Sequence, residues 1–238
     1  MLKIFYYIYF GIYLFIKTVR AKIKIYFLKG KSQQKVDEYI YKTARDMAKH
    51  FMNISNTKAL VKGIEYIPNE PCIFICNHQA IFDVFLLISN IEIITGFIAK
   101  KEIKSYPLIG FWISAMHSVF LDRSNVREGM KAINAGAENI RKGYSMILFP
   151  EGTRSLKSEM GEFKKGSLKL ALKSGAPIVP ITIDGTYKVL ETGNQVRGNV
   201  LKMVVHKPLY MGELSEDEKK NLSYIIYKTI KNGLLEMQ

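Results

Sequence analysis

Two side chains five positions apart carry the first hint of chemistry. His78 and Asp83 lie in Asn77-His78-Gln79-Ala80-Ile81-Phe82-Asp83, directly after the apolar run Ile73-Phe74-Ile75-Cys76. An imidazole steered by a carboxylate is the commonest device for taking a proton from a hydroxyl at neutral pH. Residues five apart do not share a face of one helix, whereas residues three or four apart do. The pair therefore meets only if His78 sits in the turn before a helix and Asp83 in its first turns. The apolar run reads as a buried strand, and Ile81 to Ile88 as the helix that follows. That places the imidazole at a strand's end and a helix's start, a common address for sites in α/β proteins. Alone, such a pair is as readily a surface hydrogen bond, so other segments have to support it.

Two other strand ends do. Phe149-Pro150-Glu151-Gly152-Thr153-Arg154-Ser155 follows the short apolar run Ser145 to Phe149. Pro and Gly force a tight turn there, and Gly152 lets a ligand approach the backbone. Thr153 and Ser155 offer hydroxyls, and Arg154 offers a planar fork matched to phosphate. Phe120-Leu121-Asp122-Arg123 follows a third apolar run, Ser118 to Leu121. Arg123 is either the structural partner of Asp122 or a second phosphate ligand. Singly these are a turn and an ion pair. Together they describe a base, its orienter and an anion clamp.

The elements that must position these residues alternate. Val36, Ile40, Ala44, Met47 and Phe51 recur at helical spacing, which predicts an amphipathic helix over 36–52. Strands are expected over 60–67, 71–76, 94–99, 118–121, 145–149, 178–183 and 199–205. Helices are expected over 126–140, 163–173 and 222–235, with Gly143 and Gly175 as stops. Such alternation suits βαβ units, and the expected fold is α/β: a mixed, mostly parallel sheet flanked by helices, with sites at the carboxyl ends of strands. No linker or internal repeat interrupts it. Residues 36–238 are read as one α/β domain and 1–35 as an N-terminal membrane-anchoring segment.

Composition points to an anionic partner. The 238-residue chain is 48% hydrophobic and carries 35 Lys and Arg against 21 Asp and Glu, a net charge of +14. That balance fits nucleic acid or an anionic membrane surface. Residues Ile4 to Ile16 decide between them: thirteen uncharged residues, seven of them aromatic. A helix of that length reaches about 20 Å, short of the roughly 30 Å hydrocarbon core. Tyrosine favours the lipid–water interface, and the basic stretch from Lys17 to Lys35 is what anionic lipid attracts. The expected partner is therefore the cytoplasmic face of the cell membrane rather than nucleic acid. A secretory signal fits less well, because no small-residue cleavage pattern follows. Cys72 and Cys76 are too far apart along a strand to bond, at about 13 Å, and read as small buried hydrophobes. Nothing near them has the spacing of a zinc site.

The blocks resemble those of the glycerolipid acyltransferases, most of all the bacterial enzymes that acylate 1-acylglycerol 3-phosphate. Asn77-His78 with Asp83 looks like the first block of that family, and His117 to Arg123 resembles the second. Phe149 to Ser155 matches the third letter for letter, and Val179-Pro180-Ile181 resembles the fourth. One departure is His117, which stands where the family usually carries glycine; it is a possible polar contact to substrate. The resemblance implies that His78 acts as general base with Asp83 as its orienter. The reaction it implies is acyl transfer from a thioester, acyl-CoA or acyl carrier protein, to the sn-2 hydroxyl of lysophosphatidic acid, with no cofactor. Arg154 is the first candidate for the acceptor's phosphate, with Glu151, Gly152 and Thr153 shaping the loop and Arg123 and Lys100 as further ligands. Glu151 is expected to orient a basic group or the acceptor's hydroxyls. Backbone N–H groups after His78 are expected to serve the oxyanion. Other acceptors (glycerol 3-phosphate, a lyso-ornithine lipid, another lysophospholipid) remain open, as does a hydrolase or a basic membrane-binding protein without catalysis.

Overall fold

The computed structural model describes residues 2–28, 30, 32–122, 125–164 and 166–237. The chain opens with two helices, α1 (Lys3–Leu28) and α2 (Gln33–Ile54). Ser32 caps α2, its hydroxyl accepting from the N–H of Lys35, which satisfies one of the helix's orphan donors. The buried residues of α2 include Ile40, Ala44, Met47 and Phe51, the amphipathic stripe that the spacing predicts. Tyr6, Leu14 and Ala21 of α1 join the same apolar cluster as Phe51 and Trp112. Trp112 Nε1 donates to the Thr18 hydroxyl at 2.9 Å and ties α1 to the body.

Among the described residues, strands with helices between them follow: β1 (Lys58–Lys62), β2 (Ile73–Cys76), α3 (Phe82–Asn90), β3 (Thr95–Lys100), α4 (Pro107–Ala115), β4 (Val119–Leu121), α5 (Val126–Arg141) and β5 (Ser145–Leu148). The chain ends with α6 (Lys169–Ser174), β6 (Ile178–Asp184), α7 (Tyr187–Leu190), β7 (Val200–Val205), α8 (Glu216–Lys220) and α9 (Leu222–Met237). The sheet order is β1-β7-β6-β2-β5-β3-β4. Strands β6, β2, β5, β3 and β4 run parallel, while β7 pairs antiparallel with β6 and carries β1 parallel to itself. The expected mixed, mostly parallel sheet is thus observed.

Every residue of β2, β5 and β6 is buried, as both-face coverage requires. Alternate side chains divide the core in two. Phe74 and Cys76 pack with Phe82, Leu86 and Trp112 on the side of α1 to α4. Ile73 and Ile75 pack with Ala137, Leu170 and Ile226 on the side of α5, α6 and α9. Both cysteines are free and buried.

Three expectations shift. The strand expected over 60–67 ends at Lys62, because Gly63 turns the chain at φ +73 and a Cβ there would meet the Val205 carbonyl oxygen at 2.1 Å. A single 3-10 turn, Ile64–Tyr66, follows. The helix expected over 163–173 shrinks to Lys169–Ser174: Lys164 N–H donates to the Pro150 carbonyl at 2.9 Å, and Gly166 stands at φ +77, outside helical space. Helix α4 is new. Its residues, PLIGFWISA, are nearly all apolar and show no polar face for periodicity to detect.

Candidate active site

The parallel strands deliver the chemistry to one edge of the sheet. Asn77 holds the chain where β2 ends: its amide exchanges two hydrogen bonds with the backbone of Ile183, each 2.8 Å. His78 follows in the turn and Asp83 is the second residue of α3, the arrangement that a five-residue spacing needs. His78 Nδ1 lies 2.7 Å from Asp83 Oδ2. The same oxygen accepts from the N–H groups of Gln79 at 2.7 Å and Ala80 at 2.9 Å, and Oδ1 accepts from the Thr186 hydroxyl at 2.5 Å. Asp83 is fully buried and held by four donors, so its position is over-determined. A carboxylate accepting from Nδ1–H fixes the tautomer that leaves Nε2 to take a proton. The imidazole also stacks on Phe149, ring centroids 4.0 Å apart and planes within 17°, and its side chain is only 18% exposed.

The third block locks onto the first. Glu151 Oε1 accepts from the His78 N–H and Oε2 from the Gly161 N–H, both at 2.7 Å. Burial pushes the Glu151 carboxyl up, and those two backbone bonds pull it back. Gly152 turns the chain at φ +71, a conformation that glycine reaches without steric penalty. The chain then runs beside the His78 turn: Ser155 N–H donates to the His78 carbonyl at 2.8 Å and Leu156 N–H to that of Gln79 at 3.1 Å. Arg154 therefore sits at the same edge as His78. It is half exposed, with Nη1 3.4 Å from Glu191 Oε1.

The structure brings His78, Asp83, Gly152, Arg154 and the exposed Thr153 to one place. Lys100 ends β3 at the same edge, with β5 between it and β2; its Nζ lies 3.3 Å from Glu102. Asp122 is 2.5 Å from Lys101 Nζ. Arg123 lies outside the described residues.

Three expectations need correction. Glu151 acts on backbone rather than on a side chain: Oε1 holds the His78 N–H and Oε2 the Gly161 N–H. The N–H groups after His78 are not open to an oxyanion, because those of Gln79 and Ala80 are taken by Asp83 and that of Ile81 by Glu191 at 3.0 Å. His117 precedes β4 and so lies at the opposite edge of the sheet, where its Nε2 is 2.8 Å from Asp37 and its ring stacks on Tyr144. It adopts φ +59, which explains glycine as the easier residue there. Phe149, Thr186 and Glu191 are the site residues that sequence reasoning missed. Phe149 opens the third block, but its stacking on the imidazole is not readable there; the other two carry no local signal.

A family model for acyltransferases matches residues 58–184, more than half of the chain. The chain belongs to the acyltransferase family. It is 36% identical over 194 residues to a chloroplastic 1-acyl-sn-glycerol-3-phosphate acyltransferase from Brassica napus, covering 78% of this chain and 56% of that one. A probable 1-acyl-sn-glycerol-3-phosphate acyltransferase from Mycoplasma pneumoniae is 27% identical over 206 residues, covering 81% and 77%. The chain spans about half the length of the first curated relatives it matches. The crystal structure of PlsC from Thermotoga maritima, a 1-acyl-sn-glycerophosphate (LPA) acyltransferase, superposes with a TM-score of 0.85 at 25% identity, covering 98% of this chain and 93% of the other. In this acyltransferase the matched stretch spans both locked blocks and stops with β6, so Thr186 and Glu191 reach the site from outside it.

Proposed function

We propose that this acyltransferase moves a fatty acyl group from acyl-CoA or acyl carrier protein to the sn-2 hydroxyl of lysophosphatidic acid, forming phosphatidic acid. The relatives named for this reaction support the reading. The observation that carries it is the joining of the two blocks: the Arg154 loop runs hydrogen-bonded beside His78, whose Nε2 is left for a substrate proton. An alcohol is a weak nucleophile because it holds its proton tightly. His78 Nε2 removes that proton as the oxygen attacks the thioester carbonyl. Asp83 keeps the ring oriented and stabilises the imidazolium. When the tetrahedral intermediate collapses, the C–S bond breaks and the leaving thiolate takes the proton from His78. Arg154 grips the acceptor's phosphate and so fixes where its hydroxyl lies.

The reading places the enzyme on the cytoplasmic face of the cell membrane, with α1 as the anchor. No described helix is long and apolar enough to cross a membrane. One face of α1 nevertheless exposes Phe5, Ile8, Ile12, Phe15, Val19 and Ile23, a stripe at three- and four-residue steps. Lys17, Arg20, Lys22 and Lys24 lie along the same helix. An apolar stripe with basic neighbours suits a helix lying in the plane of an anionic interface.

The test is mass spectrometry of the products formed by purified protein from lysophosphatidate and a mixed pool of acyl-CoA and acyl carrier protein thioesters. Phosphatidic acid carrying the donor's acyl chain is expected. Free fatty acid released without acceptor, or acylation of a different acceptor only, overturns the reading.

A further inference from the structure

Arg154 already has an anion beside it. Glu191 follows α7, and its Oε1 is bound from two sides: the Ile81 N–H donates at 3.0 Å and Arg154 Nη1 lies at 3.4 Å. Ile81 is the N-cap of the nine-residue helix α3, so its N–H belongs to the positive end of that helix. A guanidinium and a helix-start N–H converging on one anionic oxygen form the donor set that suits a phosphate oxygen. Glu191 itself is a poor occupant. Its other oxygen, Oε2, is buried with no hydrogen-bond partner among the described residues, and a buried acceptor left unmatched is destabilising. The side chain is 13% exposed, against 45% for Arg154, so solvent screens the carboxylate little while the guanidinium stays within a ligand's reach.

We propose that Glu191 is an internal stand-in for the acceptor's phosphate, a competitor that sets how tightly that phosphate binds. The phosphate displaces Oε1 and takes over both Arg154 and the Ile81 N–H. The inference rests on the reading above, that the acceptor is a phosphomonoester. It makes apparent affinity a difference between two anions competing for the same donors. An uncharged monoacylglycerol does not compete with the carboxylate for these donors, so Glu191 weakens only the phosphate-bearing acceptor. The backbone just beyond is tied to the start of α1, the Lys3 N–H donating to the Asn194 carbonyl at 3.1 Å.

Glu191→Gln tests this, because the amide keeps an oxygen for Ile81 and removes the charge. Lysophosphatidate binding is read by calorimetry without acyl donor, and KM and kcat with it, alongside monoacylglycerol as acceptor. Kd and KM for lysophosphatidate are expected to fall about three- to tenfold, with kcat within about twofold of the unsubstituted protein. Monoacylglycerol parameters are expected to stay unchanged, and adding Arg154→Ala to erase the gain. An unchanged or raised Kd in Glu191→Gln overturns the proposal, since a carboxylate that merely props its loop gives no gain when weakened. Glu191→Met, neutral and of similar length, repeats the measurement if the amide variant does not fold. A protein that binds lysophosphatidate but forms no phosphatidic acid sinks the functional reading alone, and the effect of Glu191 on Kd remains readable. Absence of binding by either protein sinks both.

Discussion

The described residues include two histidine–aspartate pairs that look alike in isolation. His78 lies 2.7 Å from Asp83 and stacks on Phe149; His117 lies 2.8 Å from Asp37 and stacks on Tyr144. What separates them is everything around the pair. The first sits at the carboxyl edge of the sheet, is held through Nδ1, and has the Arg154 loop hydrogen-bonded alongside. The second sits at the amino edge and is held through Nε2. Its carboxylate also accepts from the Tyr144 hydroxyl at 2.6 Å and from the Gln33 amide at 2.8 Å. A His–Asp contact is therefore no sign of catalysis in itself. The sign is a contact that leaves the outer nitrogen to a substrate and stands beside a group able to hold that substrate.

The two histidines should part most widely under substitution. His78→Ala is expected to lower kcat on the order of a thousandfold or more, the loss of a general base, while circular dichroism and melting temperature stay near those of the parent. His117→Ala should leave kcat within about twofold. It should lower stability by about 1–3 kcal/mol, because the buried Asp37 loses one of its partners. Equal losses of turnover from both would erase the distinction.

The carboxylates sharpen it. Asp83→Asn puts an N–H2 where an oxygen now accepts, so the imidazole loses its tautomer and the N–H groups around it lose acceptors. A fall in kcat of about 10²- to 10⁴-fold is expected. Asp37→Asn should cost stability in a melt and little turnover at saturating acceptor.

The same contrast explains what could be read from the chain. His78 and Asp83 are five residues apart across one strand-to-helix turn, so their meeting follows from local spacing. Asp37 and His117 are separated by 80 residues, Asp83 and Thr186 by 103, and Ile81 and Glu191 by 110. Such contacts depend on strand order, and β6 lying beside β2 has no signature in the residues of either strand. The sheet's parallel character was legible because central strands buried on both faces read as continuous apolar runs. The position of α4 was not, because an apolar helix and an apolar strand look the same when neither has a polar face.

Glu151 supplies a middle case, a carboxylate at the His78 edge whose two oxygens hold backbone N–H groups. Glu151→Gln keeps one acceptor oxygen and loses the other, so either His78 or Gly161 is left with an unmatched backbone N–H. The turn should shift by a fraction of an ångström. The expected result is a fall in kcat of about 10- to 100-fold with acceptor KM nearly unchanged. A raised KM with normal kcat would instead return Glu151 to the acceptor's binding group.

The smallest effect belongs to the other edge and is read by pH. Burial first, then the Asp37 carboxylate, push the Tyr144 phenol up to about 12, whereas an unfolded chain releases that proton near 10. Below pH 10 both states keep the proton, and the bond to Asp37 contributes in full, no more than about 1 kcal/mol. Between about 10 and 12 the unfolded chain holds fewer protons than the folded one, so this contribution declines as pH rises. Tyr144→Phe retains a ring to stack on His117 and has no proton to lose. The melting-temperature gap between parent and variant should therefore be flat up to pH 10 and close towards 12, with kcat at neutral pH unmoved. A gap that stays flat through pH 12 would mean that Asp37 does not hold the phenol. A fall in kcat would join the His117 edge to the chemistry and undo the contrast between the two pairs.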